Sequence, residues 1–119
     1  MSKTWNRDDA IAMCQQLEAV VPACGAHVAL TGGCLFKDGD RKDLDVVIYR
    51  IRQDDRIDGP KLMEALVELG FVLKIGAPSC WLMKAEHNGR KVDFLFPENE
   101  GGDYGVEIDE PPPGAEAIP

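Results

Sequence analysis

Two aspartates separated by one residue, Asp43 and Asp45, open an apolar run that extends to Ile51. Alternate side chains of a strand point to the same face, so these carboxylates would share a face about 6.5–7 Å apart along the backbone. Three alternate apolar residues would then face the core: Leu44, Val46 and Ile48. Two neighbouring negative charges repel each other, and a divalent cation bound by hard oxygen ligands removes that repulsion. The spacing therefore indicates a site for a divalent metal ion.

A glycine pair, Gly32 and Gly33, precedes these aspartates and follows a short apolar segment over 27–31. Glycine allows a phosphate to approach backbone N–H groups closely. A strand, a glycine turn, a polar loop and an acidic strand stand in the order that a phosphate-and-metal site requires. The loop also carries basic side chains that could contact phosphates or could simply be solvated: Lys37, Arg41 and Lys42.

A third carboxylate, Asp93, lies in the clearest predicted hairpin, whose strands span 81–86 and 91–96 around Asn88-Gly89. Val92, Phe94 and Phe96 would share one face of the second strand, and Asp93 the other. If this strand lies beside 44–51, three carboxylates converge, enough to hold one or two Mg²⁺ or Mn²⁺ ions.

Each of these signals also has a purely structural explanation. An Asp-x-Asp pair is often a solvated strand end, a glycine pair is usually a turn, and Asp93 could pair with Lys84 or Lys91. Trp81 and Tyr49 could stack on a base, although core packing is the preferred interpretation of Trp81.

The remaining pattern predicts the elements that position these residues. A helix over 7–22, capped by Asn6 or Asp8, has an apolar stripe, and a second helix over 60–69 ends at Gly70. The stripe of the first helix is Ile11, Cys14, Leu17 and Val21. Strands are expected over 27–31, 44–51 and the hairpin, with a strand or an extended connection over 71–75. This order predicts an α/β (α+β) fold, in which a small mixed sheet packs against helices.

Composition predicts one folded unit with an acidic end. The chain has 119 residues and a net charge of −8. The segment after residue 96 contains seven acidic residues and no Lys or Arg. Residues 1–96 are therefore close to neutral. We therefore expect a domain over 1–97 and a flexible, acidic, Pro- and Gly-rich tail over 98–119. A neutral body offers no broad electrostatic platform for duplex nucleic acid.

The termini and the cysteines suggest the compartment. No apolar run approaches the length of a membrane span, and the first residues lack the apolar segment of a signal peptide, so a cytoplasmic location is expected. The four cysteines form no Cys-x-x-Cys pair and, with two histidines, match no usual zinc spacing. Free or buried thiols are expected.

Taken together, these motifs resemble the nucleotidyltransferase fold of the polymerase-beta superfamily over roughly residues 8–97. The resemblance implies that the turn at Gly32 and Gly33 holds a triphosphate. It implies that Asp43 and Asp45 bind two Mg²⁺ or Mn²⁺ ions. Asp93 would help to bind the catalytic metal and prepare the attacking hydroxyl. Such a site is catalytic and metal-binding at once.

Two positions differ from the usual pattern of that family. Cys34 follows the glycines where Ser or Thr is common, and a thiol is a weaker hydrogen-bond donor to phosphate. Lys42 precedes the first aspartate where Ser is common, and it could neutralise phosphate charge. Both are included among the candidate nucleotide-binding residues.

The expected activity is therefore transfer of a nucleoside monophosphate, with AMP preferred, from a nucleoside triphosphate to an acceptor hydroxyl on a protein, an RNA end or a small molecule. The chain has little beyond a catalytic core, so it would act on a small or exposed target, form a homodimer or use a partner chain. Two alternatives stay open: a binding module of the same fold with weak or no turnover, antitoxin-like or regulatory, and a structural α/β domain with chance acids.

Overall fold

A five-stranded mixed sheet is the central element of the computed structural model, which describes residues 3–53, 56–76, 81–99 and 106–107. The helices are α1 (Arg7–Val20), α2 (Gly33–Phe36) and α3 (Gly59–Glu68), with 3-10 turns at Val21–Cys24 and Pro97–Asn99. The strands are β1 (Ala26–Thr31), β2 (Asp43–Arg50), β3 (Ile57–Asp58), β4 (Phe71–Gly76), β5 (Leu82–His87), β6 (Arg90–Leu95) and β7 (Val106–Glu107). The predicted α/β fold with a mixed sheet is confirmed.

The order of strands in the sheet is β1-β2-β6-β5-β4. β2 and β6 pair in parallel, whereas the other neighbours are antiparallel. The predicted hairpin is β5–β6, and its turn has positive φ at both Asn88 (51°) and Gly89 (79°), as a type I′ turn requires. Parallel pairing therefore brings this hairpin against β2, forty residues earlier in the chain.

Alternation along β2 and β6 separates a core face from a polar face. The residues that alternate with the aspartates are at most 1% exposed: Leu44, Val46, Ile48, Val92 and Phe94. They join residues of α1 and α3 in one apolar cluster. The predicted facing of β2 and β6 is confirmed, and the opposite face is left for charged side chains.

The first helix begins where its cap predicts. The side chain of Asn6 accepts a hydrogen bond from the Asp9 N–H at 2.7 Å. Helix α1 ends at Val20 and continues as a 3-10 turn, because Pro22 enters the chain and Gly25 adopts a left-handed conformation with φ 86°. The predicted stripe is wrong at Ile11, which is 42% exposed. Ala10 and Met13 are buried in its place, so the buried stripe is rotated on the helix.

Trp81 does not pack in the core. Its side chain is 58% exposed just before β5, which corrects the prediction. Trp5, fully buried, is the tryptophan of the core. Trp5 was not singled out from the sequence, because it stands alone before the first helix with no periodic apolar neighbours.

Most of the predicted tail, 98–119, lies outside the described residues, and its flexibility stays a prediction. Two described parts of it contact the domain. Glu98 Oε2 accepts a hydrogen bond from the Arg50 N–H at 2.8 Å, and β7 pairs in parallel with β3. Within the described ranges, no helix has the length and apolar content needed to cross a membrane. Cys14, Cys24 and Cys34 are free thiols, as expected, while Cys80 lies outside the described residues.

Candidate functional site

The register between β2 and β6 brings the three predicted carboxylates onto adjacent strands. Asp45 lies directly opposite Asp93, and Asp43 lies two residues earlier on β2, opposite Lys91. Asp43 is exposed, and Asp45 and Asp93 are half-buried. Since residues two apart share a face of a strand, all three carboxylates belong to the polar face of the sheet. The structure thus brings together residues that are fifty positions apart in the chain.

The electrostatics of this cluster disfavour three negative charges. The pKa of Asp45 is raised above its usual value, first by burial and then by the like charges of Asp93 and Asp43. The Lys84 ammonium acts in the opposite direction. A further cation beside Asp45 would relieve the same repulsion.

The carboxylates do not form a preformed metal centre. In the part of the chain that the structure describes, no three His, Cys, Asp or Glu side chains are gathered as metal ligands. The donor set nevertheless suits Mg²⁺ or Mn²⁺, because these hard cations prefer carboxylate oxygens and retain several waters. The backbone places the ligands on one face, and the metal role of the aspartates stays a prediction.

The glycine turn packs directly against this cluster. Gly32 directly follows β1 and has φ 75°, a backbone conformation that residues with a side chain rarely adopt. A Cβ atom on Gly32 would overlap Asp45 Oδ2. Gly33 then begins helix α2, which the sequence did not predict because four residues are too few to show periodicity. The backbone of the turn is therefore held against the Asp45 carboxylate.

Cys34 points away from the polar face. Its side chain is buried, and Sγ donates a hydrogen bond to the Asp43 carbonyl oxygen at 3.4 Å. Burial raises the pKa of this thiol; Asp45 and Asp43 raise it further, while Arg41 opposes the shift. A neutral, buried thiol is a poor nucleophile. The polar group that Cys34 can offer to a phosphate is its backbone N–H.

The loop over 37–42, here called the basic loop, faces the glycine turn across an open cavity of about 470 Å³. The cavity is lined by Gly33, Lys37, Asp40, Arg41, Lys42, Asp43 and Asp45. Arg41 Nε is buried without a hydrogen-bond partner, and a Cβ atom on Gly33 would lie 3.2 Å from it. A buried guanidinium N–H that lacks an acceptor is unusual, and an anionic ligand in this cavity would supply one. Lys42 is exposed on the same wall.

A second cavity, of about 190 Å³, lies on the other side of Asp43. Its walls are Asp43, Lys74, Ile75, Lys84, Ala85, Glu86, Lys91 and Asp93. Two ion pairs cross it, Lys84 Nζ to Asp93 Oδ1 at 3.6 Å and Lys74 Nζ to Glu86 Oε2 at 3.7 Å. Asp43 therefore stands between two cavities, each of which has lysines in its wall. A more apolar groove of about 660 Å³ between α3 and β4 contains none of the predicted site residues.

Trp5 holds the two halves of the site together. Its backbone exchanges hydrogen bonds with Arg41 in the basic loop, at 2.7 and 2.8 Å. Its indole Nε1 donates to the Lys91 carbonyl oxygen at 2.8 Å, and the Arg90 guanidinium lies 3.7 Å over its ring. The loop before Asp43 and the start of the strand that carries Asp93 are thus fixed to one buried residue. A tryptophan one position before a helix cap is the signal that could have identified it.

Comparison with known proteins identifies the fold. No family model matches the chain, and no curated protein matches its sequence. Among solved structures, the chain is similar to a cytoplasmic RNA terminal U-transferase, with a TM-score of 0.58 and 16% sequence identity. The match covers 81% of this chain and 30% of that protein, so the chain spans about a third of the length of its structural neighbour. At this identity the likeness concerns the fold, and the fold of this chain is nucleotidyltransferase-like.

Proposed function

We propose that the chain is a metal-dependent nucleotidyltransferase that moves a nucleoside monophosphate from a nucleoside triphosphate to an acceptor hydroxyl. The observation that carries the proposal is the register of Asp45 opposite Asp93 on adjacent parallel strands, with Asp43 on the same face. The glycine turn against Asp45 and the likeness to a terminal U-transferase support it. AMP is the expected group, to be tested against the other three nucleotides.

In this proposal the basic loop binds the triphosphate. The unpartnered Arg41 Nε and the exposed Lys42 line the cavity beside the glycine turn, where charge-assisted hydrogen bonds to phosphate oxygens would form. The backbone at Gly32 and Gly33 allows the phosphates to approach closely because no Cβ atom stands in the way. The triphosphate would then lie beside Asp43 and Asp45, with its α-phosphorus toward Asp93.

The carboxylates would serve both as ligands and in proton transfer. Asp43, Asp45 and Asp93 would hold divalent ions, which when bound neutralise phosphate charge and act as Lewis acids. Asp93 accepts the proton of the acceptor hydroxyl as its oxygen attacks the α-phosphorus. The new bond joins that oxygen to the α-phosphorus, the bond between the α-phosphorus and the bridging oxygen breaks, and pyrophosphate leaves.

The test is label transfer. The chain is incubated in a cell extract with Mg²⁺ or Mn²⁺ and each α-labelled nucleoside triphosphate in turn. Transfer is expected to fall by roughly a hundredfold or more in an Asp43→Asn, Asp45→Asn double variant, because the metal ions supply several kcal/mol of transition-state stabilisation. Asp38→Asn is the matched control, since this aspartate lies in the loop that precedes β2 and has a fully exposed side chain. Equal transfer by the double variant and the wild type would refute the assignment of the site.

One observation favours a second candidate, a binding module with weak or no turnover. The residue after the glycines offers no hydroxyl, and the Cys34 thiol is buried against the Asp43 carbonyl group. The same preparations distinguish the two candidates. Metal-dependent nucleotide binding in calorimetry, without label transfer from any of the four nucleotides, would establish the module.

A further inference from the structure

The polar face of the sheet already contains a cation beside the carboxylates. Lys84 on β5 lies opposite Asp93 in the antiparallel register, and its ammonium nitrogen is 3.6 Å from Asp93 Oδ1. The same ammonium is the group that offsets the crowding of negative charge on Asp45. Lys84 therefore acts on two of the three carboxylates, from the strand that carries none of them.

The exposure of this ion pair allows another cation to replace the Lys84 ammonium. The Lys84 side chain is 49% exposed, whereas that of Asp93 is 21% exposed. An exposed ammonium contributes little net stability to an ion pair, because water and salt compete for both groups. A divalent ion has twice the charge and forms direct bonds to carboxylate oxygens, so it competes well for the same partners.

Resting on the proposed function, we propose that Lys84 is a resident counter-ion of the carboxylate cluster, which divalent metal displaces on binding. Lys84 then partly neutralises the empty cluster and sets how much metal is needed to load it. It touches no substrate in this account and is a positioning residue. The neighbouring Lys74 does not share this role, because its ion pair at 3.7 Å is with Glu86, outside the cluster.

The proposal predicts opposite effects of one substitution on two measurements. Lys84→Met is expected to tighten Mn²⁺ binding roughly threefold to tenfold, the change that a unit charge about 6–13 Å from a divalent ion produces in a water-like dielectric. The same variant is expected to melt at a lower temperature than the wild type in EDTA and to gain more from added Mn²⁺. A side chain that merely supported the fold would weaken binding and stability together.

Mn²⁺ binding is measured on the full chain by the loss of the free-ion electron paramagnetic resonance signal, with no nucleotide present. Lys74→Met is the matched control, because it removes the same charge from the same cavity and from an ion pair of similar length and exposure (48%). It is expected to leave the Kd within about twofold of the wild type, since its ion-pair partner Glu86 lies outside the carboxylate cluster and dissolved salt screens charges that are not in contact with the metal ligands. Lys84→Arg keeps the charge and is expected to restore wild-type affinity.

The outcomes separate the two proposals. Binding by the wild type with an unchanged or weaker Kd in Lys84→Met overturns the role of Lys84 and leaves the nucleotidyltransferase site intact. Equal tightening in Lys74→Met also overturns it, because the effect would then be one of overall charge. If the wild type binds no Mn²⁺ at millimolar concentration, the proposed function fails, and the role of Lys84 fails with it.

Discussion

Gly32 lies against Asp45 so closely that a methyl group on the glycine would overlap the carboxylate oxygen Oδ2. The contact joins the residue after β1 to the start of the acidic strand β2 and fixes the glycine turn beside the candidate metal ligands. It also explains why two motifs separated by a polar loop belong to one site. Neither a side chain at position 32 nor a shifted Asp45 would preserve this arrangement.

Gly32→Ala is therefore expected to weaken both the fold and the site. The substitution adds backbone strain of about 1–3 kcal/mol and moves either the turn or Asp45. Mn²⁺ affinity, measured by calorimetry on the folded variant, should fall as well as the melting temperature. Gly39→Ala is the matched control, since Gly39 has φ 85° but no atom within 4 Å of an added Cβ. Equal losses of Mn²⁺ affinity in the two variants would show that the contact with Asp45 has no part in the site.

Asp45→Asn is expected to stabilise the metal-free chain at neutral pH. The pKa of Asp45 is raised by burial and by Asp93 and Asp43, so folding favours its protonated form. The stability contributed by that form is lost as the pH rises through the folded-state pKa. The variant removes this loss, and its advantage in urea unfolding with EDTA should grow from pH 4 to pH 7. Lower stability than the wild type at pH 7 would contradict the proposed repulsion.

Glu18→Gln should have the opposite pH dependence, away from the site. Although burial opposes the shift, hydrogen bonds from the Val28 N–H and the His27 ring, at 3.0 and 2.6 Å, lower the pKa of Glu18. Its stabilisation is present above the unfolded-state value of about 4.5 and is lost as the pH falls through the folded-state pKa. The variant should melt lower than the wild type at pH 7 and approach it near pH 3. Glu64→Gln, an exposed position on α3, is the control and should show no such convergence.

Trp5→Phe tests the connection between the basic loop and β6. Phenylalanine keeps an aromatic ring in the core but is smaller than the fully buried indole, and the hydrogen bond from Nε1 to the Lys91 carbonyl oxygen is lost. The free energy of unfolding should fall by about 1–3 kcal/mol, because a partly buried carbonyl group loses its donor and the smaller ring leaves a cavity. Nucleotide affinity should also fall, because Trp5 links β6 to Arg41, with which it exchanges backbone hydrogen bonds. A variant that is destabilised but binds nucleotide normally would limit Trp5 to a structural role.

The parts of this site that the sequence predicted are local. Period-two alternation is enough to assign Leu44 to the core and Asp43 and Asp45 to the other face, and Asn88-Gly89 is enough to define a hairpin. The sequence predicts that Asp45 and Asp93 meet only if their strands are neighbours, and tertiary packing decides which strands pair in parallel.

Three further features depend on tertiary contacts and could not be predicted from the sequence. Trp5 is buried and Trp81 is exposed, although the hydrophobicity of the side chain is the same at both positions. The Cys34 thiol turns inward because α2 begins at Gly33, and a four-residue helix has too little sequence to be recognised. The ion pair between Lys84 and Asp93 was one of two pairings left open, and the antiparallel register selected it.

Label transfer by an Asp93→Asn variant tests the proposed site most directly, because Asp93 joins the site through strand pairing alone. The wild type is expected to transfer label from at least one α-labelled nucleoside triphosphate in Mg²⁺ or Mn²⁺. Asp93→Asn, with an unchanged circular dichroism spectrum, is expected to lose transfer by roughly a hundredfold or more. Transfer by a folded Asp93→Asn variant at the wild-type rate would show that Asp93 has no part in the reaction.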